Sequence, residues 1–129
     1  MARTLLLVED DENVSGLIAT ALKKEGYVVS EARNSQEAIR LWTDSGPPFE
    51  LLISDIRLEE EDDGFVLARE LLEIRPEVPV IFISGDRDCF ASPAIQRFGD
   101  APFFAKPFDL KKLVQAVKDI LGKKPSGSG

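Results

Sequence analysis

The pattern that most constrains this chain is a set of apolar runs too short for helices and too unbroken for half-exposed strands. Leu5–Val8, Phe49–Ser54 and Val78–Ser84 carry apolar side chains at odd and even positions alike. Successive side chains of a strand point to opposite faces, so runs of this kind need cover on both sides. Between them the apolar period becomes helical. Val14, Leu17, Ile18, Ala21 and Leu22 fall on one helical face, and Gly26 follows as a stop. Tyr27-Val28-Val29 reads as a second short strand. Asn34 with Glu37 resembles a capping box opening a helix through Ala38, Leu41 and Trp42, which Gly46-Pro47-Pro48 breaks. A helix is predicted from Phe65 to Arg75, with Val66, Leu67, Leu71, Leu72 and Ile74 as core candidates and Pro76 beyond it. Ser92-Pro93 is read as the start of a short helix to Phe98, followed by Gly99. Phe103–Ala105 is a short strand, and Asp109 caps a helix with Leu110, Leu113, Val114, Val117 and Leu121 on its apolar face. Strands alternating with helices in this way imply an α/β fold, a parallel sheet covered on both faces.

Composition removes several function classes. A chain of 129 residues is expected to form one domain, here residues 1–122, with residues 123–129 as a flexible linker or an appended tail. The net charge of −7 argues against direct nucleic-acid binding, which needs a basic face. No apolar stretch approaches the roughly 20 residues of a membrane span, and acids follow Leu5–Val8 too soon for a signal peptide. A lone cysteine, Cys89, forms no internal disulfide, so a reducing cytoplasm is expected. The chain has no histidine, which excludes histidine metal sites, Ser-His triads and a phosphohistidine of its own.

Why, then, does the first apolar run stop in Glu9-Asp10-Asp11-Glu12? Like charges side by side repel, and each is costly to desolvate. Asp11 or Asn13 serves to cap the following helix. In open α/β sheets, ligands bind outside the carboxyl ends of the strands. There the first strand delivers Glu9 and Asp10, the third Asp55, the fourth Ser84 with Gly85, and the fifth Lys106. A hard divalent cation takes such carboxylates together with waters and a phosphate. Lys106 and Ser84 supply a charge and a hydroxyl for a phosphoryl oxygen, and a carboxylate can itself be the nucleophile, for which Asp55 is the candidate.

The motifs that carry these residues resemble the receiver domain of two-component response regulators, from Arg3 to Gly122. "LLVEDDENV" resembles the family's acidic motif, with Glu9 and Asp10 as the metal pair and Asp11 as a loop position. "LLISDIRL" resembles the phosphoacceptor strand, which implies Asp55 as acceptor and the Arg57 backbone carbonyl as a further Mg²⁺ ligand. "VIFISG" implies Ser84 as the switch hydroxyl. "FFAKPF" implies Lys106 as the signature lysine, a cis Lys106–Pro107 bond, and Phe103 as the rotameric switch. The resemblance further implies a flavodoxin-like (βα)5 sandwich of strand order 2-1-3-4-5. Its implied function is a switch that takes a phosphoryl group from a histidine kinase or histidine phosphotransfer protein, with Mg²⁺. A downstream protein would then read the face of the fourth helix, fifth strand and fifth helix. Arg57 and Asp86 border the path of water in dephosphorylation.

Two departures stand out. Glu59 occupies the place where the family pattern has Pro, and Gly64 arrives one residue late. The chain also lacks the acidic pair near the fifth strand that dimerising transcription-factor receivers carry. Among rival readings, an FMN binder needs a phosphate-cradling first loop, which four acids would repel. A Mg²⁺-dependent phosphohydrolase needs a second acid two residues after the nucleophile, where Arg57 stands, so an independent enzyme is not expected. A receiver-like interaction module that is never phosphorylated is the remaining alternative.

Overall fold

In the computed structural model, which describes residues 3–44, 48–57, 63–85, 93–99 and 101–123, the apolar runs do form a parallel sheet. Its strands are β1 (Thr4–Val8), β2 (Val28–Ala32), β3 (Leu51–Asp55), β4 (Val80–Ser84) and β5 (Phe103–Ala105). They lie in the order β2-β1-β3-β4-β5, and every neighbouring pair is parallel. This is the flavodoxin-like order that the resemblance implied. Helices α1 (Glu12–Lys24), α2 (Ser35–Thr43), α3 (Gly64–Ile74) and α4 (Leu110–Lys123) cover the two faces.

Strand alternation divides the core into two layers. Leu6, Val8, Leu52, Val80 and Phe82 meet Ala38 and Trp42 of α2 and Leu67, Ala68 and Leu71 of α3. Leu5, Leu7, Leu51, Ile53, Ile81 and Ile83 meet Ile18 and Leu22 of α1 and Leu113, Val117 and Leu121 of α4. Burial of β1, β3 and β4 on both faces explains why their sequences do not alternate.

Local signals place most boundaries. Asp11 caps α1 by accepting from the backbone N–H of Asn13 at 2.9 Å, and Asn34 caps α2 by accepting from Glu37 at 2.9 Å. Glu37 reaches back to the N–H of Arg33 rather than of Asn34, a one-residue variant of the capping box. Asp109 accepts from the N–H of Lys111, and Gly26 adopts φ +95° after α1.

Three expectations are corrected. The buried face of α1 is Ser15, Ile18, Ala19 and Leu22, while Leu17 is 64% exposed. Ser15 turns inward because its hydroxyl donates to Glu31 at 2.6 Å. Val66 and Ile74 of α3 are likewise exposed rather than core. The short helix expected to end at Phe98 does so, but over Pro93–Phe98 it is 3₁₀ instead of α, with Phe98 against Phe82 and Phe65 at centroid distances of 4.8 and 6.0 Å. Ser92, Glu59, Asp86, Cys89 and the tail from Lys124 lie outside the described residues.

Candidate functional site

The strands run parallel, so their carboxyl ends share one edge, and the side chains just beyond them converge there. Glu9 follows β1, its side chain fully buried, and its N–H continues the pairing to the Ala32 carbonyl of β2 at 3.0 Å. Asp10 is half-buried beside it. Asp55 ends β3, only 3% exposed, and Ser84 ends β4, fully buried. Lys106 follows β5, and its N–H donates to the Ser84 carbonyl at 2.8 Å, with a cis bond to Pro107 after it.

Lys106 reaches back across the edge. Its Nζ lies 2.8 Å from Asp55 Oδ2 and 2.7 Å from Glu9 Oε1. Asp55 Oδ1 accepts from the Arg57 N–H at 3.0 Å, and Glu9 Oε2 from the Asp11 N–H at 3.1 Å. Two carboxyl groups removed from water thus face one ammonium. Burial pushes the Glu9 carboxyl up to about 8, and the Asp55 carboxylate adds to this, against the opposing pull of Lys106 and the Asp11 N–H. For Lys106, burial alone would lower the pKa, but hydrogen bonding and attraction from Asp55 and Glu9 outweigh it and raise the pKa above 10.5.

The donor set suits a hard cation. Carboxylate oxygens of Glu9, Asp10 and Asp55 all lie within 4.8 Å of one another. Glu9 Oε1 is fully buried, and its charge partner among the described residues is Lys106 Nζ at 2.7 Å. That is an oxygen placed for a positive charge.

The side chains of Glu9, Asp10, Asp55 and Lys106 therefore meet at one place; Ser84 joins them through its carbonyl, which the Lys106 N–H bonds, and Arg57 through its N–H to Asp55. Phe103, on the edge strand β5, is 49% exposed. Among the described residues, a Cβ added at Gly85 would meet only Lys106 Cδ at 3.9 Å. Gly64 is more confined. Its N–H donates to the Ile56 carbonyl at 2.6 Å, and an added Cβ would overlap the Asp55 carbonyl oxygen and lie 2.7 Å from Ile56 Cα. Sequence reasoning also missed Ser54, fully buried next to Asp55. The available signal was a hydroxyl interrupting a strand otherwise apolar on both faces.

The response regulator receiver domain family matches residues 5–118. The chain belongs to that family. Among curated relatives of this receiver domain, the sensor kinase CckA of Brucella abortus is 40% identical over 123 residues, covering 93% of this chain and 13% of CckA. The response regulator receiver protein CpdR of the same organism is 36% identical, covering 92% of this chain and 97% of CpdR. For the transcriptional regulatory protein GlrR of Escherichia coli, 34% identical, the matched share is 26% of its length. The solved receiver domain of NtrX from Brucella abortus superposes with a TM-score of 0.81 at 29% identity, covering 93% of this chain and 99% of that one. Among the described residues no helix is long and apolar enough to cross a membrane.

Proposed function

We propose that this receiver domain is a signalling switch that accepts a phosphoryl group on Asp55 from a phosphohistidine of a histidine kinase or histidine phosphotransfer protein. The observation that carries the reading is the buried Asp55 carboxylate, within 4.8 Å of carboxylate oxygens of Glu9 and Asp10 and 2.8 Å from Lys106 Nζ. Family membership supports it, as does similarity to both a sensor kinase and response regulators.

Glu9, Asp10, Asp55 and the Arg57 carbonyl would hold Mg²⁺. When bound, the cation neutralises charge on the phosphoryl oxygens and fixes their position. The rest is work for the chain itself. Asp55 attacks phosphorus in line, forming a P–O bond as the P–N bond to the partner's imidazole breaks, and the electron pair leaves on the imidazole nitrogen. Lys106 transfers its ion contact from the free carboxylate to a phosphoryl oxygen, and the Ser84 hydroxyl donates to another. Inward movement of Ser84 makes room for Phe103 to turn from its exposed position, which changes the face presented to a protein target. Water releases the phosphate slowly, and the domain acts as a phosphoacceptor, not as an enzyme on an outside substrate.

Incubation with acetyl phosphate and Mg²⁺, followed by intact-mass measurement, tests this. One added phosphate, lost with EDTA and in Asp55→Asn, is the expected result. A fully modified Asp55→Asn protein would contradict the assignment. No adduct in a folded wild-type chain, with no donor consumed, would favour an interaction module that is not phosphorylated.

A further inference from the structure

The peptide that follows Asp55 is held on every side by groups outside the five residues of the site. Ser54, at 0% exposure, donates its hydroxyl to the Asp55 carbonyl at 3.0 Å. That carbonyl lies one residue beyond the last paired position of β1 and β3, Val8 with Ser54, where the ladder between those strands has ended. Gly64 packs against the same carbonyl so closely that no Cβ would fit, and its N–H takes the Ile56 carbonyl. The Ile56 N–H donates to the Ile83 carbonyl of β4 at 2.9 Å. Arg57 is then tied at both ends, by its N–H to Asp55 Oδ1 and by an antiparallel bridge to Asp63, the residue that caps α3 through the Phe65 N–H at 2.8 Å.

Ser54 is an unexpected residue to find here. Alternation along β3 puts it on the same face as Leu52 and Ile56, which pack in the apolar α2–α3 layer. A hydroxyl in such a layer costs stability unless it is bonded, and an apolar residue would satisfy the packing as well. Its bond goes to the one backbone carbonyl that belongs to the acceptor residue.

We propose that Ser54 is a positioning residue: with Gly64 it clamps the Asp55–Ile56 peptide, and so sets the direction of the Asp55 carboxylate and of the Arg57 carbonyl for phosphoryl transfer. The inference rests on the phosphoacceptor reading above. Removing one neutral hydrogen bond corresponds to a change of about 3- to 10-fold in binding or rate.

The test compares wild type with Ser54→Ala, Ser54→Cys and Ser54→Thr. Ala removes the hydroxyl, Cys keeps the shape with a poor donor, and Thr restores the donor. The measurements are the Mg²⁺ dissociation constant, the maximal rate of phosphorylation by acetyl phosphate, and the half-saturating acetyl phosphate concentration at fixed saturating Mg²⁺. Ser54→Ala and Ser54→Cys are expected to fold, to bind Mg²⁺ about 3- to 10-fold more weakly, and to lose a similar factor in maximal rate. Half-saturating donor concentration should stay the same, because the clamp touches neither donor nor solvent. Ser54→Thr should recover most of both losses. A thermal midpoint lowered with unchanged Mg²⁺ affinity and rate would show a purely structural hydroxyl and overturn the inference. If Thr is too large to fold, equal Mg²⁺ affinity and rate in Ala, Cys and wild type would still overturn it. Wild-type protein that takes up no phosphate would instead remove the phosphoacceptor reading itself, and this inference with it.

Discussion

At the scale of single residues, the site is an arrangement of charge that the free chain barely tolerates. Glu9 and Asp55 sit in the protein with one shared ammonium, and that ammonium stands where a divalent cation would compete for the same oxygens. The burial of Glu9 gives a pH dependence with a definite sign. Its carboxyl moves from an ordinary 4.5 to about 8 in the folded chain, so the folded state holds a proton that the unfolded state has lost. The resulting stability is complete below pH 4.5 and is lost as pH rises through about 8. Denaturant unfolding of metal-free protein should therefore show stability falling over that window, with a flatter profile in Glu9→Gln. An unchanged slope in the variant would contradict the assignment. Mg²⁺ needs the ionised carboxyl, so its affinity should rise as pH increases over the same window. Lys106 has the same sign at higher pH. Its raised pKa contributes stability below 10.5 that is lost only as pH rises beyond it. Lys106→Ala leaves two facing acids without their counter-charge. In EDTA this should cost about 2 kcal/mol, less than for a wholly buried pair because the lysine side chain is 23% exposed. Saturating Mg²⁺ should recover most of the loss, since binding at about a hundredfold over Kd contributes about 2.7 kcal/mol.

At the scale of elements, the contact of α3 with the end of β3 joins fold to site. Gly64→Ala would push the start of α3 off the Asp55–Ile56 peptide, backbone against backbone, with no flexible side chain to yield. A loss of about 2–4 kcal/mol is expected in chemical denaturation, of the kind seen for overpacking. A loss below about 0.5 kcal/mol, within the usual range of neutral surface changes, would show that the contact is not so tight. The same junction shows what the sequence could and could not convey. The strands were readable because β1, β3 and β4 are buried on both faces, which leaves runs such as Leu5–Val8 and Val80–Ser84 without alternation. The convergence of Glu9, Asp10, Asp55, Ser84 and Lys106 was readable because parallel strands put their carboxyl ends on one edge. Tertiary partners were not readable. Ser15 is buried because Glu31 of a neighbouring strand receives its hydroxyl, which turns α1 away from the face that its apolar spacing predicts. Gly64 looks late by sequence offset, yet it fills a contact that only glycine can make, one residue after the Arg57–Asp63 bridge. The 3₁₀ segment Pro93–Phe98 is held by Phe98, which stacks on Phe65 and meets Phe82 edge-on, contacts between residues distant in sequence.

At the scale of the whole molecule, two apolar layers leave the sheet's carboxyl edge as the place where unlike charges meet, and a net charge of −7 favours approach of cations to it. Phe103 is 49% exposed on the edge strand β5, and in the proposed switch it reports the state of that edge. Hydroxyl-radical footprinting should show its oxidation falling when beryllofluoride and Mg²⁺ occupy the acceptor. Equal oxidation with and without them would exclude the inward turn of Phe103. In the proposed switch Asp55, and no other acid, carries the phosphate. The most direct measurement of this is borohydride trapping after acetyl phosphate and Mg²⁺, because hydride reduces an acyl phosphate to an alcohol and marks the residue permanently in a peptide mass map. Homoserine at position 55, absent with EDTA, is the expected result; homoserine at position 10, hydroxynorvaline at position 9, or a phosphorylated chain with position 55 unreduced, would contradict it.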